Sequence, residues 1–171
     1  MSHFSGEGIV LKQVNFFEKD VMLHVFFKEE GVLRVLMKGA KRGRPVGSMD
    51  VFNVAKFYCF QGKSFIYSRQ CDLVQSFPKI RADFNRIAVA FYFVEIVLKS
   101  TALGQSNASL YHLLFNALHY LDQEKPYERI KTWFHTSFLF HEGLLTHGKS
   151  AVSDAVFLRQ FEHYTGKTIQ L

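Results

Sequence analysis

The hydrophobic pattern of this chain changes period at Pro78, and this change limits the available folds more than any other feature. Before Pro78, apolar and polar residues alternate with a period of two, as in DVMLHVFF at residues 20–27. After Pro78, apolar residues recur at helical spacing. The chain has no low-complexity tract between the two patterns. We therefore predict an α+β protein, with one domain over residues 1–78 and a second over 79–171.

The first domain should be a small barrel. Five short segments have strand character, and these are GIVLKQV, DVMLHVFF, VLRVLM, VFNVAKFYCF and SFIYSRQ. Glu29-Glu30-Gly31 and Gln61-Gly62 are turn signals between strands. The segment DVMLHVFF would place Val21, Leu23, Val25 and Phe27 on one face. Closely spaced strands with apolar residues on both faces are typical of a closed barrel, either OB-like or SH3-like.

The second domain should be a small helical bundle. A helix is expected over residues 80–99, with an apolar stripe formed by Phe84, Ile87, Ala88, Phe91, Val94 and Leu98. A leucine-rich face in SLYHLLFNALHYLD predicts a second helix. Pro126 would open a third helix at its first position, and Gly143 would end it. Ser153 is expected to cap a last helix that ends at Gly166 and turns three apolar side chains inward, namely Val156, Phe157 and Phe161.

The positive charge of the chain is concentrated in one run. The net charge is +6, and between Glu30 and Asp50 there is no acidic residue to offset the basic ones, which are Arg34, Lys38, Lys41, Arg42 and Arg44. Three glycines and Pro45 punctuate this run, so the backbone can follow a ligand without being fully flexible. A basic loop that extends from a strand suits a nucleic-acid phosphate backbone. The alternative is a solvated loop.

Further basic residues on the predicted strands are candidates for secondary nucleic-acid contacts. These are Lys12, Lys56 and Lys63. Lys56 shares a strand face with Tyr58 and Phe60, and a basic residue beside exposed aromatic rings is how barrels stack single-stranded bases. Tyr58 and Phe60 could equally face the barrel core or the helical half, and we favour a core position over base stacking.

No catalytic, cofactor or metal site is expected. Residues 143–150 satisfy the P-loop pattern GxxxxGK[ST], but they follow a helical segment instead of the buried strand that a phosphate-binding loop requires. His135, His141 and His147 are six residues apart, whereas helical ligand pairs are three or four apart. Cys59 and Cys71 have neither zinc-knuckle nor redox spacing. The N-terminus lacks signal-peptide character and no apolar run would span a membrane, so we expect a cytoplasmic protein without a membrane partner.

The order of these features resembles the RecO family of bacterial recombinational-repair mediators. The strand–turn–strand pattern with Glu18 and Asp20 is similar to the family's opening, and Lys38-Gly39-Ala40 matches its KGA motif. Farther on, Gly47-Ser-Met-Asp-Val-Phe52 is similar to the segment that follows the motif, and AFYFVEIV resembles a family helix through Ala90, Tyr92 and Glu95. The segment FLFHEGLLTHG resembles the end of a later helix, so the likeness covers roughly residues 7–148.

The resemblance implies an N-terminal OB-like barrel followed by helices. It implies binding to single- and double-stranded DNA, annealing of complementary strands, and contacts with a RecR-like partner and with single-stranded-DNA-binding protein. It further implies a bacterial protein that works at the nucleoid. Many family members carry a four-cysteine zinc site after the helix that ends near Gly143, but residues 143–171 contain no cysteine. We therefore do not expect zinc.

Three functions remain open from the sequence. The leading hypothesis is a non-enzymatic protein that binds DNA and anneals strands during recombinational repair. A second is a protein–protein adaptor that keeps the barrel without DNA affinity, which an exposed apolar groove on the helical half would indicate. A third is an RNA-binding OB-fold protein.

Overall fold

The computed structural model describes residues 3–40, 46–145 and 151–169. The strands are β1 (His3–Phe16), β2 (Asp20–Phe27), β3 (Gly31–Met37), β4 (Val54–Gln61) and β5 (Ile66–Gln75). A short 3-10 helix at Val46–Met49 precedes β4. The helices are α1 (Pro78–Arg81), α2 (Phe84–Ser100), α3 (Ala108–Asp122), α4 (Tyr127–His141) and α5 (Asp154–Thr165).

The five strands close into a barrel in the order β1-β2-β3-β5-β4. The long strand β1 makes closure possible, because its first half pairs with β4 and its second half pairs with β2. All pairings are antiparallel except that between β3 and β5. A closed five-stranded barrel followed by helices is OB-like, so the predicted α+β fold class is confirmed.

The period-two pattern places the barrel core as predicted. Val21, Leu23, Val25 and Phe27 of β2 all belong to the buried cluster inside the barrel, together with Phe57 of β4. Within this cluster the rings of Phe27 and Phe57 meet edge to face at 5.7 Å. Burial of such side chains contributes about 1.5–3 kcal/mol each, so the barrel interior is the main source of its stability.

The chain forms two compact units, and one of them includes a segment that the sequence placed in the helical half. Residues 1–76 and 101–108 form the first unit, and residues 77–100 and 109–171 form the second. Within the first unit, the amide of Gly104 donates to the carbonyl of Val32 at 2.9 Å, and Ser106 Oγ donates to the carbonyl of Lys28. Residues 101–108 therefore cover the turn between β2 and β3.

Gly31 permits this close approach, and we expect Gly31→Ala to destabilise the barrel unit. Its φ is +75°, and a Cβ atom here would lie 2.0 Å from the carbonyl oxygen of Gln105. Left-handed strain together with overpacking should lower the free energy of unfolding by about 2–4 kcal/mol. Gly104→Ala is the matched control, because Gly104 has φ +74° and no atom within 4 Å of the added carbon. Equal losses of stability in urea unfolding of the two variants would contradict the steric argument.

The helical unit buries most of the predicted faces. The predicted leucine-rich face of α3 is entirely buried, namely Leu110, Leu113, Leu114, Ala117, Leu118 and Leu121. Ser153 occupies the N-cap position of α5 without a side-chain hydrogen bond to the helix, and Gly166 ends the helix with φ +67°. Pro126 lies at the N-cap of α4, one position before the predicted one. The predicted helix over residues 80–99 is divided, because Asp83 Oδ1 accepts the amides of Asn85 and Arg86 and starts α2 anew.

Two predicted apolar faces are buried only in part, since Val94 of the α2 stripe is buried but other members of the stripe are not. In α2, Phe84 is 84% and Phe91 is 50% exposed, whereas Phe93 is fully buried and stacks on Phe134 of α4 at 4.2 Å. In α5, Val156 is 44% exposed although Phe157 and Phe161 are buried as predicted. No helix in the described ranges is long and apolar enough to cross a bilayer.

Candidate nucleic-acid interface

Three connections of the barrel meet around the end of β3. They are the β1–β2 turn, the start of the basic run after β3, and the β4–β5 connection at residues 62–65. The amide of Gly39 donates to Asp20 Oδ1 at 2.8 Å, which joins the basic run to the start of β2. The rings of Phe16 and Phe65 meet at 5.5 Å, which joins the other two connections. We call this region the loop end of the barrel.

A continuous row of aromatic rings crosses the loop end. We call it the aromatic strip, and it consists of Phe17, Phe16, Phe65, Tyr67 and Phe60, in spatial order. Tyr67 of β5 and Phe60 of β4 are register partners whose rings stack at 5.3 Å with 17° between their planes. Phe65 meets Tyr67 edge to face at 6.1 Å. The strip lies outside the barrel core, where its side chains can contact a ligand.

Cations lie directly on this strip. Lys38 Nζ is 4.7 Å from the centroid of the Tyr67 ring, and the Arg69 guanidinium carbon is 5.8 Å from that of Phe60. A cation–π contact orients a cation without neutralising its charge, so Lys38 keeps its attraction for phosphate. Lys63 is exposed in the β4–β5 connection. Lys41, Arg42 and Arg44 lie outside the described residues, but they follow Lys38 by three to six positions.

A second basic feature runs across the outer surface of β1, β2 and β3. Lys12, His24 and Arg34 are direct register partners on adjacent strands, so their side chains share one face. Burial, followed by the charges of Arg34 and Lys12, lowers the pKa of His24. The imidazole therefore tends to be neutral, and the row presents two exposed cations about a central histidine. Such a row offers an anion two attractive charges.

Lys56 and Tyr58 occupy a different environment. Tyr58 is 42% exposed, so the favoured core position was wrong. It is exposed because β4 alternates as the sequence indicated and turns Phe57 into the core instead. Lys56 Nζ lies 5.7 Å from the Tyr58 ring, but its register partners are Glu7 and Asp72. Two neighbouring carboxylates weaken the attraction of Lys56 for phosphate.

The helical unit holds a buried polar cluster around His135. His135 is fully buried, with Nε2 2.7 Å from the hydroxyl of Tyr92 and Nδ1 3.4 Å from Asp154 Oδ1. Its ring stacks on Phe157 at 3.9 Å, and Asp154 also pairs with Lys131. Burial lowers the pKa of His135 to about 4, because it outweighs the opposite effect of Asp154. The cluster therefore packs a neutral histidine between α2, α4 and α5.

Other histidines do not join this cluster to form a metal site within the described ranges. His141 is exposed at the end of α4, and His147 lies outside the described residues. No group of three or more His, Cys, Asp or Glu side chains there is arranged to hold a metal ion. Gly143, the first residue of the P-loop pattern, follows α4 with φ +71°. The P-loop pattern therefore begins after a helix, whereas a phosphate-binding loop follows a buried strand. Lys149 and Ser150 of the pattern lie outside the described residues.

Both parts of the chain match models of a single protein family. The model described as Recombination protein O N terminal matches residues 1–77, and the one described as Recombination protein O C terminal matches residues 81–145. The first match covers the barrel strands, and the second begins at the end of α1 and continues beyond α4. The order of the two matches follows the order of the barrel and the helices.

Relatives named DNA repair protein RecO show the same likeness. The protein from Alkaliphilus metalliredigens is 32% identical over 150 residues, which are 86% of this chain and 61% of the relative. Those from Acetivibrio thermocellus and Moorella thermoacetica are 31% and 32% identical, and the alignments cover 72% of this chain in each case. The chain spans 50% and 47% of these two relatives. Together with the two family matches, this similarity shows that the chain belongs to the RecO family.

Proposed function

We propose that this chain acts in recombinational DNA repair as a non-enzymatic protein that binds DNA and anneals complementary strands. The observation that carries the proposal is that Lys38, the first basic residue after β3, lies beside the aromatic strip at the loop end of the barrel. Lys38 lies on Tyr67, and Gly39 is hydrogen-bonded to Asp20, so the start of the run is anchored at this surface. Family membership supports the same function, since the relatives are named DNA repair proteins.

The proposed mechanism needs no bond chemistry. Phosphates would be held by Lys38, Lys41, Arg42 and Arg44, with further contacts from Lys63 and from the row of Lys12 and Arg34. Neutralising the phosphates of two strands lowers their mutual repulsion. Phosphate contacts carry no base code, so base edges remain available for pairing with a complement. Lys56 would contribute least, because Glu7 and Asp72 flank it.

DNA binding should depend strongly on salt. With about three to five phosphates engaged, the logarithm of the association constant for single strands should fall against the logarithm of salt concentration with a slope of roughly −2 to −4. Fluorescence anisotropy with labelled single- and double-stranded DNA at several salt concentrations measures this slope. Failure to bind either form at about 50 mM salt would exclude the function.

The adaptor function is the second candidate, and one observation favours it. Phe84 and Phe91 are exposed on α2 and are seven residues apart, which places them on one face of the helix. Exposed apolar side chains at this spacing suit a protein partner. A RecR-like protein and single-stranded-DNA-binding protein are the partners that family resemblance suggests. If the protein binds neither form of DNA, the adaptor function becomes the better explanation. Tighter binding to oligouridylate than to oligothymidylate would instead favour the RNA-binding function.

In the cell, the proposed function places the protein in the bacterial cytoplasm at the nucleoid. This follows from the substrate, since DNA under repair lies there. No cofactor is required for annealing, because strand pairing releases free energy by itself.

A further inference from the structure

We propose that the aromatic strip stacks on unpaired bases and thereby makes the barrel selective for single-stranded over double-stranded DNA. The inference rests on the proposed DNA binding but goes beyond it, because phosphate contacts alone do not distinguish the two forms in this way. In a duplex, the faces of the bases are already covered by their neighbours. In a single strand, the faces are available, and each has a π surface that an aromatic side chain can cover.

Phe17 is the part of the strip most open to a base. It lies in the β1–β2 turn and is 79% exposed. Its φ is +54°, which is an uncommon and strained conformation for a bulky residue. Its ring meets that of Phe16 edge to face, with 4.6 Å between the ring centroids and 75° between the planes. A strained backbone thus holds the Phe17 ring in solvent. A base that stacked on this ring would remove apolar surface of the ring from water.

The rest of the strip extends this surface across the barrel. Phe16, Phe65 and Tyr67 follow at successive centroid distances of 5.5 and 6.1 Å, and Phe60 stacks on Tyr67 at the far end. These rings are partly buried, so they are held in place before a ligand arrives. Pre-ordered rings lose little conformational entropy on binding. Bases along a strand can therefore contact Phe17, Phe16 and Phe65. Tyr67 and Phe60 stack on each other and carry the cations.

The cations on the strip are placed to hold the phosphates of the same strand. Lys38 and Arg69 each lie over a ring of the strip, at 4.7 and 5.8 Å. No salt bridge occupies Lys38 within the described part of the chain. Its ammonium is therefore available to a phosphate beside the stacked base. Rings and cations that share one surface suit a single strand, which presents both base faces and phosphates.

Removing the exposed ring tests the selectivity. Phe17→Ala should weaken binding of an oligothymidylate of about 20 nucleotides by roughly 5- to 100-fold, the range seen for one base–aromatic stack. Binding of a duplex of the same length should change by less than about twofold, because its bases stay paired. The salt dependence should be unchanged, because no phosphate contact is lost. A second variant, Phe65→Leu, removes an inner ring while keeping an apolar side chain. It leaves intact the Tyr67 ring on which Lys38 lies, so it should show the same selective loss.

Phe84→Ala is the matched control, since Phe84 is 84% exposed on α2 and lies outside the strip. It should bind both forms of DNA as the parent does. Equal weakening of single strands and duplex by Phe17→Ala, or no weakening of either, would overturn the inference while leaving the proposed DNA binding intact. A parent protein that binds neither form would instead defeat the proposed function itself.

Discussion

Changing Lys38, Lys41, Arg42 and Arg44 together to alanine should weaken binding to single-stranded DNA roughly ten- to hundredfold at about 0.1 M salt. Each lost phosphate contact removes the release of one counterion, so the salt dependence should flatten at the same time. The loss should be the same for any base sequence, since these contacts do not read bases. Acceleration of strand annealing should fall in parallel. Anisotropy titrations and an annealing assay with two labelled strands measure both effects.

The fold should survive these four substitutions. Exposed charges contribute little to stability, and Lys38 is exposed at the end of β3. A matched control replaces four basic residues of the helical half, namely Lys125, Arg129, Lys149 and Arg159. Lys131 is left intact because it pairs with Asp154 beside His135. If the loop variant binds DNA as tightly as the parent while the control does not, the basic run is only a solvated loop.

The barrel strands could be predicted from the sequence because each strand shows its own alternation of apolar and polar residues. In β2, alternation at Val21, Leu23, Val25 and Phe27 fixes which side faces inward, and a strand has only two sides to choose from. The strand order and the parallel pairing of β3 with β5 depend on register between distant segments, which the sequence pattern does not contain.

Helix α2 shows where periodicity fails. Its sequence is apolar around most of its circumference, so two different stripes satisfy helical spacing. The predicted stripe contains Phe84 and Phe91, whereas the structure buries the stripe that contains Phe93 and Val97. Only the position of neighbouring helices, such as Phe134 of α4 against Phe93, decides between them.

The basic residues of the candidate site could be identified from the sequence, but the aromatic strip could not. The acid-free run was evident from Glu30 to Asp50. The aromatic strip was not, because its members come from three separate parts of the chain and meet only when the barrel closes. One signal was available, since Phe65 and Tyr67 are two residues apart and would share a strand face. His24 was likewise missed as the centre of the row between Lys12 and Arg34.

The helical unit should lose stability in mild acid because of His135. Its pKa is about 4 in the folded protein against 6.5 in an unfolded chain. As pH falls below 6.5, the unfolded state binds the proton first, so the free energy of unfolding declines until pH 4 and then levels off. The shift corresponds to about 3 kcal/mol. Urea unfolding followed by the fluorescence of Trp133, the one tryptophan of the sequence, measures this loss at successive pH values.

His135→Gln should remove that part of the pH dependence. The variant cannot gain a proton, although its amide can still hydrogen-bond to Tyr92, so its stability should start lower at pH 7 and fall less steeply. Carboxylates that do not contact His135 act alike in both proteins, and the difference between the two curves therefore reports on His135 and its contact with Asp154. His163→Gln is the control, because His163 is exposed on α5 and should leave the curve unchanged. If the parent and His135→Gln lose the same free energy between pH 6.5 and 4, burial of a neutral His135 does not govern the acid stability of the helical unit.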